Sequence, residues 1–154
     1  MLRITLLVSG ILLLFTSVVE AKPKLLMPRL QARGVQSHEA KTISTALCHA
    51  VSKLKRYELV CSDDLAAMVK WNTRAAQLNA CQRDDCMAEA AKAMQANLLI
   101  SGSVSKVDSD YVLAASLIDV SSGKVKKRAE LKRAGLSKLH DAVGEAALML
   151  TKKK

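Results

Sequence analysis

The sequence predicts an α/β domain on a mixed sheet, with elements in the order βαβααβββα and helices packed against the sheet. Three observations carry this. In the first half, stretches with apolar residues every three or four positions alternate with short β-rich runs, so the early strands are joined by long crossovers and pair in parallel. In the second half three strand-like runs follow one another through tight turns, which forces antiparallel pairing. Finally, 154 residues, 50% of them hydrophobic, suit one domain, and with 3% aromatic content its core must come from Leu, Val, Ile, Ala and Met. No internal repeat and no Gly, Pro or Ser tract divides the chain.

A leader precedes the domain. Arg3 gives a positive start, residues 4–19 are apolar, and Val19 and Ala21 are the small residues ahead of Lys22, the pattern of a secretory signal peptide (1–21) cleaved after Ala21. Thr5, Ser9, Gly10, Thr16 and Ser17 interrupt the stretch, which falls short of the roughly 18 to 20 residues a membrane span needs. No cysteine follows to carry a lipid. Nothing from Lys22 onward is apolar long enough to cross a bilayer, so residues 22–154 are expected to form a single exported domain without a transmembrane segment.

The elements follow in order. Residues 24–32 form a short extended segment that Gly34 ends, and Ser37 then caps a helix to about Lys55, with Ile43, Leu47, Ala50, Val51 and Leu54 on its apolar face. Residues 57–61 are a brief strand. Ser62, Asp63 and Asp64 supply the cap and first-turn acids of a second helix carrying Leu65, Met68, Val69 and Asn72. That helix fades near Ala80 into a loop from Cys81 to Cys86, where Asp84 or Asp85 caps a third helix presenting Met87, Ala90, Ala91 and Met94. Its alanines keep it thin enough to lie close to a sheet. Residues 97–107 read as a strand in which Gly102 marks a bulge or a close backbone approach. Asp108, Ser109 and Asp110 turn the chain into residues 111–120, apolar on nearly both sides as a central strand is. After Ser121, Ser122 and Gly123 the pattern alternates, with Val125, Ala129 and Leu131 inward and Lys124, Lys126, Arg128, Glu130 and Lys132 outward, an edge strand. Leu136, Leu139, Val143, Ala146, Ala147 and Leu150 form the stripe of a last helix.

The formal net charge is +10, and removing Arg3 and Glu20 with the leader leaves it unchanged. The excess is local. Residues 124–154 hold ten basic side chains against Glu130, Asp141 and Glu145, a possible footprint for an anionic partner. Nucleic acid is not expected, because Trp71, Tyr57 and Tyr111 are too few and scattered for a stacking platform. Edge protection is the competing reading, since outward lysines discourage sheet-to-sheet pairing.

Catalytic chemistry finds no support in the motifs. His38, His49 and His140 make no metal or catalytic spacing, Ser101–Ser103 lies in no G-x-S-x-G elbow, and no Gly-rich phosphate cradle exists. The Asp63/Asp64 and Asp84/Asp85 pairs sit where helices start, so capping explains them. Met27, Met68, Met87, Met94 and Met149 read as scattered core fillers, and Trp71 as a core-edge residue or a partner anchor. No catalytic, cofactor or metal site is expected. Cys48, Cys61, Cys81 and Cys86 are an even set without paired C-x-x-C knuckles, so in an exported chain disulfides are the default, with three pairings open.

From Cys81 the chain runs through the Ala-rich helix to Ala96-Asn97-Leu98-Leu99-Ile100-Ser101-Gly102-Ser103-Val104. With Tyr111-Val112-Leu113 and Leu117-Ile118-Asp119-Val120-Ser121-Ser122-Gly123-Lys124-Val125, this resembles a widespread secreted module. It is similar to the amino-terminal domain of TolB and the related core of CsgG-type envelope proteins, in a stand-alone version, over residues 24–150. Asn97 stands where the family usually has Asp. The resemblance implies a non-enzymatic protein of the Gram-negative periplasm, or secreted from it, that contacts or assembles with an envelope protein partner. A propeller, a lipidated cysteine and pore-forming strands are all missing, so neither the Pal-binding part of TolB nor channel secretion is implied. The resemblance also places two cysteines at Cys81 and Cys86, which close a very short loop before a helix.

Cys48 with Cys61 follows from geometry. Cys48 lies about 12 Å back along the first helix from Arg56, and Cys61 about 13 Å forward along the returning strand from Tyr57, so both sulfurs reach a similar height. Two buried free thiols are the alternative. In function the expectation is a periplasmic protein-interaction or assembly domain. The alternative is a binder of anionic envelope polymer or lipid headgroups through Lys124, Lys126, Arg128 and Lys132.

Overall fold

The computed structural model describes residues 21–67, 81 and 83–152. Residues 1–20 of the leader, the second-helix positions Met68, Val69 and Asn72, and the anchor candidate Trp71 lie outside the described residues. Strands β1 (Lys24–Met27) and β2 (Gln31–Arg33) precede helix α1 (Ser37–Lys53), followed by β3 (Glu58–Cys61), α2 (Ser62–Ala67) and α3 (Asp84–Ala93). The chain continues as β4 (Leu98–Val107), β5 (Asp110–Asp119), β6 (Val125–Ala134) and α4 (Leu136–Thr151). One mixed sheet results, ordered β3-β1-β4-β5-β6, with β2 also on β4. Crossover-linked strands β3, β1 and β4 are parallel, and the hairpin-linked strands β4, β5 and β6 are antiparallel.

The first strand, expected to be continuous over 24–32, is broken. Pro28 has no N–H to give a ladder, and Pro interrupts strands for that reason. Leu26 pairs with Leu99 but Gln31 with Ser103, so the early strand spends five steps where β4 spends four. β5 occupies the other side of β4 along its whole length, which leaves β1 and β2 on one shared side. The extra residue reverses the in–out alternation, so Leu25, Met27 and Leu30 all enter the same core. Past the break, the Leu30 N–H donates to the buried Ser44 hydroxyl of α1 at 3.3 Å. Ser44 thereby joins an apolar helix face without an unsatisfied hydroxyl.

Two cores result. The larger lies between one sheet face and α1 with α4, where Ile43, Leu47 and Val51 meet Leu113, Leu131, Leu139, Val143 and Leu150. On the opposite face α3 packs Met87, Ala91 and Met94 onto Leu26, Leu99, Ile118 and Val120. Gly102 faces the larger core without a bulge: its ladder with Ala115 is continuous, and a Cβ there would stand 2.8 Å from the Ala115 Cα.

Three further expectations are corrected. Ser37 is the first helical residue rather than the cap; Gln36 takes that place, and its N–H donates to Glu39 Oε2 at 2.8 Å. Likewise Arg83, not Asp84 or Asp85, caps α3, and the two acids occupy its first turn, where carboxylates suit the helix dipole. Val125 does not point inward. A register shift between Leu117 and Ile118 inserts Lys126 as an extra residue, pairing Val125 with Ile118 and leaving it 36% exposed.

Candidate interaction surfaces

The structure does not gather the basic residues into one cluster. Lys124 lies in the turn before β6, Lys126 is the inserted residue, and Arg128 and Lys132 stand on the sheet face opposite α1 and α4, with Glu130 between them. Lys126 Nζ lies 3.3 Å from Asp119 Oδ2 and Lys132 Nζ 2.9 Å from Asp110 Oδ2. Those two cations are already matched by strand β5.

Asp119 explains the turn between β5 and β6. Its Oδ1 accepts the Ser121 N–H at 3.1 Å, the Ser121 hydroxyl at 2.5 Å and the Ser122 N–H at 3.1 Å. These donors, aided by Lys126, hold its carboxyl well below the usual carboxylate range. At the opposite end of the sheet, the Tyr111 hydroxyl donates to Glu39 Oε1 at 2.9 Å, tying β5 to the start of α1. The Gln36 N–H and then this phenol lower the Glu39 carboxyl, and the carboxylate in turn raises Tyr111.

Beside Met87 of α3, the sheet face is an open trough of about 230 Å³. The register places Ser101, Ser116 and Arg128 in one row, and Gln31, Ser103, Ala114 and Glu130 in the next. Small side chains form the floor and long polar ones the walls.

Behind the sheet, α1 and α4 run in the same direction. Glu39, at the start of α1, reaches Tyr111 beside the β6–α4 junction, while at the far end Arg56 Nη1 donates to the Thr151 carbonyl at 2.7 Å. Between them runs a groove of about 820 Å³. Ala46, Ala50 and Leu54 from α1 and its end meet Val143, Gly144, Ala147 and Leu148 from α4, with Lys41, His49, Lys53 and His140 at the margins. Leu148 is 53% and Met149 45% exposed. The sequence pattern gives His49 and His140 no shared spacing and does not foretell the groove. Its available signals were the off-stripe Leu148 and the small residues Ala46, Ala50, Gly144 and Ala147 at helical spacing.

Cys48 is joined to Cys61 with a Cα separation of 6.3 Å, and Cys81 to Cys86 with 5.7 Å. The first link fastens α1 to β3, where Cys61 is the partner of Met27 in the ladder. The second spans the entry to α3. Asn97 Oδ1 accepts the Lys24 N–H at 2.8 Å, so the amide locks the start of β1 to the start of β4. Among the described residues no group of three or more His, Cys, Asp or Glu is placed to hold a metal, and no helix is long and apolar enough to cross a membrane.

No family profile and no curated protein matches the sequence. Solved structures do match the fold. The lipoprotein GNA1162 from Neisseria meningitidis aligns with 84% of this chain and 99% of its own at 16% identity and a TM-score of 0.57. The LpoB C-terminal domain from Escherichia coli aligns over 79% and 90% at 18% identity, also with a TM-score of 0.57. TolB from Acinetobacter baumannii aligns with 83% of this chain and 27% of its own length, at 13% identity and a TM-score of 0.53. The chain therefore has a mixed α/β fold similar to those of GNA1162, the LpoB C-terminal domain and part of TolB.

Proposed function

We propose that the chain is an exported, non-enzymatic module of the bacterial envelope that works by binding another protein. The observation that carries this is the helix-layer groove, where two helices leave an apolar channel open, with Leu148 exposed along it and Lys41 and Lys53 at its margins. Contiguous exposed apolar surface on a soluble domain marks contact sites more often than chance. The fold likeness to a bacterial lipoprotein and to TolB supports the envelope setting, as does the leader at 1–21. In this reading residues 22–154 form the working domain, and Cys48–Cys61 and Cys81–Cys86 are disulfides of an oxidising compartment.

A pull-down with the tagged mature chain from an envelope extract tests it. A protein retained specifically in several detergents is the expected result; none above background in any of them overturns the reading. Binding of anionic polymer or lipid headgroups through Lys124, Lys126, Arg128 and Lys132 is the weaker reading, because Lys126 and Lys132 already face Asp119 and Asp110. Salt-sensitive sedimentation with anionic liposomes would be needed to revive it.

A further inference from the structure

We infer that the occupant of the α1–α4 groove is an amphipathic helix of the partner protein whose apolar face is flanked by Asp or Glu. This rests on the protein-binding reading and names the partner's chemistry. Shape argues for a helix. The groove follows α1 from Lys41 to Leu54, about 20 Å at roughly 1.5 Å per residue, the length of three to four helical turns. Its floor is Ala46, Ala50, Gly144 and Ala147, small enough for another helix to approach closely and seat a side-chain ridge between two existing ones. An extended strand would find no edge there, since both walls are helices whose backbone groups are bonded internally.

Charge argues for acids on the flanks. The fully charged side chains lining the groove are Lys41 and Lys53, one near each end of the α1 wall, and no carboxylate lines it. Asp141, outside the lining, lies 3.7 Å from the His140 ring, and Glu145 is drawn off to Arg133 at 2.8 Å on the β6 side. Both lysines are exposed, and no ion pair engages either among the described residues. A partner helix with acids on both sides of its apolar stripe would meet a cation at each end of its path. Such rim charges set orientation and encounter more than they set affinity.

Site-specific photo-crosslinking of the full chain in the producing cells separates the possibilities. A photoreactive residue replaces Thr42 or Leu148 in the groove, or Arg128 on the sheet, and the captured peptide is sequenced. We expect groove positions to capture one partner segment with apolar residues three and four apart and flanking Asp or Glu. Lys41→Glu with Lys53→Glu should lower that yield about tenfold, in a variant whose circular dichroism matches the parent. Capture only from Arg128 overturns the groove but leaves the protein-binding reading standing. Capture of a second copy of this chain, of a basic or extended segment, or an undiminished yield in the double variant overturns the acidic helix. No protein captured from any position overturns both.

Discussion

Gly102 has no room for a side chain. A Cβ there would collide with the Ala114 carbonyl oxygen and approach the Ala115 Cα at 2.8 Å, both backbone of the neighbouring strand. Backbone cannot swing aside as a flexible side chain can, so Gly102→Ala should destabilise the domain by about 3 kcal/mol, the upper range for overpacking. Urea unfolding measures this, and a loss under about 1 kcal/mol would contradict the close approach. Asp119 makes a pH prediction. Its carboxyl is lowered in the folded state, so its contribution is complete above the unfolded-state value and fades as pH falls through the folded one. Compared with Asp119→Ala, the parent should keep a constant advantage in Tm from neutral pH to about pH 5, shrinking toward pH 2. Calorimetry across that range checks the sign; an advantage that grows on acidification would refute it.

Between single residues and the whole lie the strands, helices and their links. Cys48 and Cys61 are 13 residues apart in sequence and Cys81 and Cys86 only 5, so the first link removes more freedom from the unfolded chain. Loop-closure reasoning gives losses of about 3 kcal/mol for Cys48→Ala with Cys61→Ala and about 2 kcal/mol for the other pair. Non-reducing peptide mapping comes first, and a Cys48–Cys81 peptide would end the argument. Strand β6 is the outer strand of its sheet end, with Arg128 and Lys132 exposed along it and Lys124 exposed in the turn before it. Replacing all three by Thr should shift sedimentation toward larger self-associated species than the parent forms; unchanged sedimentation would remove edge protection as their role. Element types and pairing sense were readable because periodicity and connection length determine them. The two breaks in alternation were not. Pro28 was visible in the sequence, but only the ladder on β4 shows that it inserts a residue and turns Leu30 back to the core. Nothing about Val125 itself distinguishes it from Ala129, and the shift that exposes it belongs to the pairing with β5.

At the scale of the molecule, the two cores share one sheet and should unfold together. Ile43→Ala on the helix-layer side and Leu99→Ala on the α3 side remove fully buried side chains, so each should cost about 2 to 5 kcal/mol within a single urea transition. Two separable transitions would mean that α3 and its apolar cluster are an independent unit. The groove was illegible in the sequence for a reason of the same scale. Its walls are one amphipathic helix near the start of the chain and another at its end, and no local pattern reports that they become neighbours. The position of β1 has a kinetic consequence. It is the first of the described strands in chain order, yet it lies inside the sheet between β3 and β4, and its first backbone N–H closes on Asn97, 73 residues later. Order of synthesis and order of enclosure are thus inverted. A nascent chain that ends after β3 holds one parallel pair, β1 with β3, a β2 whose partner β4 is still missing, and one helix, too little to form a lasting sheet. Such a chain stays threadable until β4 emerges, which is what the proposed export would need if the chain crosses a membrane before folding.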